Sequence, residues 1–238
     1  MTDTCFIFKN MFNYDKINEI PKNMPSNVAC FYITDTLENC TKAKDLGWEP
    51  IFVDKYVTVT DSFEKRKVIA ELNCYPERFI DATKFKYMFS CDSNVLTLDS
   101  NYADFISKKS DEKALYLTSG CYSGYKNTID FELLRSLKTP RWRYNWEEMK
   151  TTVRGYLYFL LEKGKNLQDT PVVSAKYIGW NVSHPMKHEI SKYVYDEYTK
   201  HLQGNIIFSM AWQIYPQYIE HYTKFKNDGK VDGHLQCH

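Results

Sequence analysis

The sequence lacks long apolar runs and is poor in glycine. Its longest apolar stretches, residues 155–161 and 205–212, are far shorter than the roughly 20 residues that cross a bilayer. Glycine accounts for only 9 of 238 residues, and no internal repeat or low-complexity tract is present. The short apolar runs predict no membrane span, and apolar and charged contents of 43% and 26% argue against the fibrous and disordered classes.

An excess of charge of one sign is also missing. The chain carries 31 basic and 30 acidic side chains, for a formal net charge of +1. Generic binders of nucleic acids or membrane surfaces use a one-signed electrostatic field. We therefore expect no nucleic-acid partner.

Cysteine pairs at metal-binding spacing are absent. The seven cysteines include no C-x-x-C pair, and their odd number suits reduced thiols. The first ten residues have no basic segment followed by an apolar core and a cleavage site. We expect a cytoplasmic protein without a zinc site.

The residues that are present follow an alternating pattern in the first half of the chain. Apolar runs predict strands at residues 28–34, 49–53, 86–91 and 95–98. Between them, helices are predicted at residues 36–46, closed by Gly47, and at residues 62–72, where Ser62 can cap the start. This alternation predicts an α/β fold with a mainly parallel sheet flanked by helices.

Two acidic residues follow predicted strands that are far apart in the sequence. Asp35 follows residues 28–34, and Asp92 follows residues 86–91. Because parallel sheets bind ligands beyond the carboxyl ends of their strands, we expect both residues to share one rim.

The second half of the chain predicts further elements with fewer strands. Strands are expected at residues 114–118 and 171–178, and helices at residues 131–137, 146–162, 185–201 and 205–215. In the helix at 146–162 an apolar stripe is predicted to face the core, and Gly164 to end the helix. The stripe comprises Met149, Val153, Leu157, Leu160 and Leu161.

The sequence Asp92-Ser-Asn94 is the clearest local signal for chemistry. A strand end fixes the backbone, and oxygen ligands there suit hard divalent cations such as Mn²⁺ or Mg²⁺. An ordinary turn is the alternative, because all three residue types favour turns.

Other candidates each have a structural alternative. The basic residues 65–67 are consistent with phosphate binding or, alternatively, with an ordinary solvated face of a helix. Tyr32 and Asp35 suit a base and ribose, or an ordinary strand end. His184 and His188 have i, i+4 spacing but no zinc-protease motif, and His184 is the first choice among the histidines for a site residue.

Taken together, several segments resemble GT-A glycosyltransferases. They are residues 30–35, 47–53, 65–69, 75–76 and 86–94, and fainter matches continue at residues 156–164, 177–184 and 203–208. The order and spacing resemble glycosyltransferases encoded by chlorella viruses and the related domain of plant and bacterial polysaccharide enzymes. The resemblance covers roughly residues 28–218.

This resemblance implies a single GT-A (Rossmann-like) domain over residues 1–238. Its nucleotide-binding half would span residues 28–98, its acceptor half residues 99–226, and a tail residues 227–238. It implies a nucleotide pocket at Tyr32, Thr34, Asp35, Arg66 and Lys67, and a metal at Asp92 and Asn94. Sugar and acceptor contacts would fall on Trp180 and Asn181, with catalytic roles for His184, Gln203 and Asn205.

The chain departs from the family pattern at two points. Asn94 replaces the second acidic residue of Asp-x-Asp, and residues 203–205 read Gln-Gly-Asn where relatives carry Arg-Asp-Gln. The second change removes an expected carboxylate.

The resulting hypothesis is metal-dependent transfer of a sugar from a UDP-sugar donor to a glycan or glycoprotein acceptor. A retaining route is favoured, because no carboxylate in the second half is marked as a base. A sugar-1-phosphate nucleotidyltransferase is an alternative, although no glycine-rich loop precedes Asp35. A catalytically silent carbohydrate-binding module is another.

Overall fold

A computed structural model describes most of the chain. The described residues are 3–13, 17, 19–21, 24–92, 105–119, 128–129, 146–164, 172–201 and 204–222. The predicted strand at 95–98, the helix at 131–137 and the tail at 227–238 lie outside them. Within the described part, no helix is long and apolar enough to cross a membrane.

The described strands form one seven-stranded sheet in the order β3-β2-β1-β4-β6-β5-β7. They are β1 Thr4–Asn10, β2 Ala29–Thr34, β3 Glu49–Phe52, β4 Tyr87–Asp92, β5 Leu115–Ser119, β6 Val173–Asn181 and β7 Ile219–Tyr222. Only β6 runs antiparallel to its neighbours. The predicted α/β fold with a mainly parallel sheet is confirmed.

Five longer helices accompany the sheet in the described residues. They are α1 Leu37–Asp45, α2 Ser62–Cys74, α3 Trp146–Lys163, α4 Lys187–His201 and α5 Gly204–Ile214. Short 3-10 helices follow β3 and α2 at Asp54–Tyr56 and Pro76–Arg78.

Strand β1 was not predicted, although it lies between β2 and β4 in the middle of the parallel part of the sheet. All seven of its residues are buried. Its apolar run at residues 5–8 is typical of a strand covered on both faces.

Side chains of β1 pack alternately against the two faces of the sheet. Ile7 packs with Val68 and Leu72 of α2 on one face. Phe8 packs with Tyr32 and Trp48 on the other. The sheet therefore lies between two apolar layers, as in other doubly wound α/β folds.

The boundaries of the first two helices follow local backbone chemistry. Helix α1 is followed by Gly47 at φ +89°, a conformation that glycine adopts without strain. At α2 the predicted cap, Ser62, is wrong. The Asp61 carboxylate is the cap instead, accepting hydrogen bonds from the backbone N–H groups of Phe63 and Glu64, both at 2.9 Å.

The predicted inward stripe of α3 is partly wrong. Leu157 is 40% exposed and Leu161 is 79% exposed. The buried face is formed by Tyr156, Phe159 and Leu160, which pack with residues of α5. The helix ends before Gly164, as predicted, and that glycine has φ +62°.

Strand β6 extends to Asn181, three residues beyond its predicted end at residue 178. Within this extension, Gly179 pairs with Phe89 of β4 and leaves room for the Phe89 ring. A Cβ at position 179 would lie 2.4 Å from Phe89 Cε1. Because β6 is antiparallel to β4, this extension runs toward the amino end of β4.

Candidate functional site

The order of the strands creates a switch point at the carboxyl end of β1. The chain passes from β1 to β2 and β3 on one side, then returns to β4 on the other side. Connections that diverge in this way open a crevice where α/β sheets bind ligands. The crevice lies between the carboxyl ends of β1 and β4, at Asn10 and Asp92.

Asp35 and Asp92 lie on this same edge of the sheet. Lys9 of β1 pairs with Ile33 of β2 on one side and with Asp92 on the other. Since neighbouring strands are about 4.8 Å apart, the ends of β2 and β4 are separated by about 10 Å. The strand register therefore agrees with the expectation that Asp35 and Asp92 share one rim of the sheet.

Asp35 holds the turn that follows β1. The residue is only 7% exposed, and its carboxylate accepts a hydrogen bond from the Phe12 backbone N–H at 2.9 Å. Phe12 and Asn13 have φ values of 62° and 53°, so both are in the left-handed region. We call these two residues the β1 turn.

A second set of contacts reaches the β1 turn from the start of α1. The Asn39 amide donates to Asn13 Oδ1 at 2.9 Å and to Thr36 Oγ1 at 3.0 Å. Thr34 is fully buried, and its Oγ1 lies 3.2 Å from Thr36 Oγ1. Thr34 thus belongs to the support of the rim. Asn39 and the β1 turn were not predicted from the sequence.

Tyr32 is a core residue. Its side chain is fully buried, and its hydroxyl accepts a hydrogen bond from Asn10 Nδ2 at 2.8 Å. Its ring centroid lies 5.8 Å from that of Phe8 and 6.0 Å from that of Trp48. The predicted stacking of a base on Tyr32 is therefore wrong, because the ring has no exposed face.

The basic residues of α2 differ in their surroundings. Lys65 Nζ lies 5.1 Å from the centroid of the Phe12 ring, over the β1 turn. Arg66 is 9% exposed. Lys67 pairs with Glu64 at 2.7 Å along the helix surface. The structure thus brings Lys65, rather than Lys67, to the β1 turn.

Asn205 lies beside the first residues of β6. Its Oδ1 accepts a hydrogen bond from the Ala175 backbone N–H at 2.9 Å. Tyr177, two residues further along β6, pairs with Cys91 next to the end of β4. Asn205 therefore lies toward the same edge as Asp92, while Gln203 is outside the described residues.

Gly204 has no room for a side chain. A Cβ there would lie 2.3 Å from the Tyr198 hydroxyl and 3.1 Å from Ala175 Cβ. The resemblance places a carboxylate at this position in relatives. In this chain, the Tyr198 hydroxyl fills that space.

Trp180, Asn181 and His184 are at the opposite edge of the sheet. Asn181 pairs with Tyr87, the first residue of β4. At about 3.3 Å per residue, the two ends of β4 are about 16 Å apart. The predicted placement of these three residues with Asp92 is therefore wrong.

Their own contacts are structural. Trp180 is fully buried and donates from Nε1 to the Asn73 backbone carbonyl at 2.7 Å. The Asn181 side chain accepts from the Ser183 N–H at 3.2 Å. His184 Nδ1 accepts from the Met186 N–H at 3.1 Å, just before α4 begins.

A buried lysine joins α4 to α2 near this opposite edge. Lys187 is 4% exposed, donates to the Cys74 carbonyl at 3.1 Å and forms an ion pair with Glu77. Burial lowers the pKa of Lys187, and the Glu77 carboxylate opposes this shift. These contacts stabilise the packing of α4 on α2.

The residues proposed as metal ligands are only partly described. Asp92 ends β4 at the switch point, and Asn94 lies outside the described residues. No cluster of three or more His, Cys, Asp or Glu side chains that could hold a metal occurs in the part that is described. A carboxylate and an amide oxygen directly after a fixed strand fit the ligand chemistry of Mn²⁺ or Mg²⁺.

No known family model matches the chain, and no curated protein matches its sequence. Its structure is similar to that of mouse xyloside xylosyltransferase 1, with 10% identity and a TM-score of 0.51, over 92% of this chain and 84% of that one. It is also similar to the bifunctional glycosyltransferase WbbM, with 9% identity and a TM-score of 0.55, over 92% of this chain but 38% of WbbM.

A third similar structure is the galactosyltransferase LgtC, solved with donor and acceptor sugar analogs. It is 12% identical, with a TM-score of 0.50, over 92% of this chain and 73% of that one. Identities this low show a shared fold and not a shared activity. The chain therefore has the fold of GT-A glycosyltransferases, while the resemblance to virus-encoded members rests on the sequence alone.

Proposed function

We propose that the chain transfers a sugar from a nucleotide-sugar donor to a carbohydrate acceptor. One observation carries the proposal. The switch point between β1 and β4 brings the ends of the strands before Asp35 and Asp92 to one crevice, in a chain with the GT-A fold. In such sheets, that crevice is where nucleotides bind.

The donor is proposed to be a UDP-sugar. Its nucleotide would lie along the β1 turn, which follows the central strand. Lys65, held over Phe12, and Arg66 are the cations of α2 that we assign to the diphosphate. Asp35 contributes by fixing the β1 turn.

A divalent cation, Mn²⁺ or Mg²⁺, is proposed to be held by Asp92 and Asn94. When bound, it would neutralise negative charge on the departing diphosphate, which is the main electrostatic demand of glycosyl transfer. The remaining rate acceleration would come from positioning of the donor and acceptor by the protein.

The acceptor is proposed to be a glycan or glycoprotein that approaches from the side of β6 and α5. Asn205 is the described residue that we assign to this side, with Gln203 preceding it in sequence. A retaining route is proposed, because Tyr198 fills the space at Gly204 where a carboxylate would otherwise stand.

Titration calorimetry with UDP and manganese, followed by a donor-hydrolysis assay on a panel of UDP-sugars, tests the proposal. We expect UDP to bind in a metal-dependent way and at least one donor to be hydrolysed. Asp92→Ala should lose metal-dependent turnover while remaining folded by circular dichroism. Near-normal turnover in that variant would refute the assignment of the metal.

A catalytically silent binding module is the second candidate. It is favoured by the Asn205 side chain, whose Oδ1 is engaged by a backbone N–H, and by the absence of a carboxylate at residue 204. Binding of UDP without hydrolysis of any donor would support this module and refute the transferase.

A further inference from the structure

The β1 turn is a strained segment that cannot hold its conformation alone. Phe12 and Asn13 are consecutive non-glycine residues with φ values of 62° and 53°. In this region Cβ crowds the following carbonyl oxygen, and an aromatic residue gains no local compensation. Strain of this kind persists where surrounding groups impose it, and it is frequent at binding sites.

Three groups from other elements hold the β1 turn in place. Asp35 accepts the Phe12 N–H, and Lys65 lies over the Phe12 ring. Asn39 of α1 donates to Asn13 Oδ1 at 2.9 Å. Each contact restrains a different part of the turn.

Asn39 differs from Asp35 in its position, because Asp35 directly follows β2 at the rim and Asn39 lies within α1. It is 6% exposed and lies in the first turn of α1. Within the described residues, its side chain bonds only to Asn13, Thr34 and Thr36. Asn39 would therefore affect the binding of a ligand in the crevice only through the β1 turn.

We propose that Asn39 is a positioning residue that keeps the β1 turn in its left-handed conformation, and that this preformed turn is one wall of the nucleotide-diphosphate pocket. The inference rests on the proposed function, which puts the donor at the β1–β4 crevice. It adds a residue outside that crevice whose effect on donor affinity passes through backbone conformation.

The mechanism predicts a specific kinetic signature. If the turn is correctly formed in only a fraction of molecules, the apparent Kd for the donor rises by the reciprocal of that fraction. Loss of one supporting hydrogen bond shifts such an equilibrium by up to about tenfold, so the Kd rises by at most that factor, and by less where the turn is mostly formed in the wild type. Molecules that have bound donor contain the formed turn, so kcat at saturating donor stays unchanged.

The test uses the 238-residue chain and four variants: Asn39→Ala, Thr41→Ala, Asn13→Gly and the double variant Asn39→Ala/Asn13→Gly. Thr41 is the matched control, because it is on the same helix, is exposed, and its hydroxyl bonds only locally to the Leu37 carbonyl at 3.3 Å. Binding of UDP with manganese is measured by calorimetry well below each melting temperature, and donor hydrolysis gives KM and kcat.

We expect Asn39→Ala to raise Kd and KM by about twofold to tenfold with kcat unchanged, and Thr41→Ala to match the wild type. Glycine adopts positive φ without strain. Asn39→Ala should therefore weaken UDP binding much less in the Asn13→Gly background than in the wild type.

Two results would overturn the inference alone. One is UDP affinity in Asn39→Ala equal to that of a wild type that binds UDP. The other is weakened binding that glycine at residue 13 does not rescue, which would indicate a direct contact or a general loss of structure. Failure of the wild type to bind UDP would instead overturn the proposed function and this inference with it.

Discussion

Substitution of Gly204 by alanine tests the packing between α5, α4 and β6. The new Cβ would lie 2.3 Å from the Tyr198 hydroxyl oxygen, 3.1 Å from its Cζ and 3.1 Å from Ala175 Cβ. Real Cβ atoms do not approach a neighbour to 2.3 Å, so the Tyr198 ring must move. Tyr198 is only 8% exposed and packs in the core, which limits that movement.

The size of the effect follows from two opposing contributions. Inserting a methyl group into a packed core costs about 1–3 kcal/mol. Alanine in a helix is favoured over glycine by up to about 1 kcal/mol, and less at a first helical residue such as Gly204. We therefore expect Gly204→Ala to lower the free energy of unfolding by about 1–2 kcal/mol, which corresponds to about 2–8 °C in melting temperature.

A double-mutant cycle with Tyr198→Phe identifies the cause. Removing the hydroxyl removes the nearest clash, so alanine should be better tolerated in Tyr198→Phe than in the wild type. The coupling between the two substitutions, measured by urea unfolding, should be about 1 kcal/mol or more. Additive effects, or a Gly204→Ala variant as stable as the wild type, would refute the account of why residue 204 carries no side chain.

Two further predictions concern stability at other places. Lys187→Ala leaves the Glu77 carboxylate without its buried partner and should lower the free energy of unfolding in urea by about 3–5 kcal/mol. Lys192→Ala removes an exposed pair and should lower it by less than about 1 kcal/mol. Equal losses of stability would contradict the role of burial. Gly179→Ala should destabilise far more than Gly164→Ala, because its Cβ would lie 2.4 Å from an aromatic ring of β4 while nothing lies within 4 Å at residue 164. Gly164→Ala introduces backbone strain alone, because that glycine has φ +62°. The melting temperatures of both variants are compared by thermal unfolding, and similar losses of stability would contradict the role of the clash.

The elements between residues 28 and 92 could be predicted because their signals are local. Gly47 ends α1 through its own backbone conformation. The helix starting at residue 62 was also predicted, although its cap is Asp61 and not Ser62. Strand β1 was not predicted, and the reason is physical. Its apolar run of residues 5–8 is too short for periodicity to separate a buried strand from part of a helix.

The error at Trp180, Asn181 and His184 has a different origin. A strand carries no local mark of the direction in which it joins a sheet, because pairing is decided by contacts distant in sequence. Had β6 been parallel to β4, its carboxyl end would have met Asp92. Since β6 is antiparallel, its carboxyl end meets Tyr87 instead, and the three residues lie at the far edge.

The same polar residue types that bind ligands also complete the hydrogen bonding of backbone at strand and helix ends, where buried N–H groups need acceptors. Asp35, His184 and Asn205 each accept one such N–H, from Phe12, Met186 and Ala175 respectively. Sequence alone cannot separate these uses, because both require a short side chain with an oxygen or nitrogen near a chain reversal. In this molecule, the supporting use explains these three hydrogen bonds. We therefore expect donor affinity to depend more on the conformation of the β1 turn that Asp35 fixes than on direct contact between Asp35 and a nucleotide.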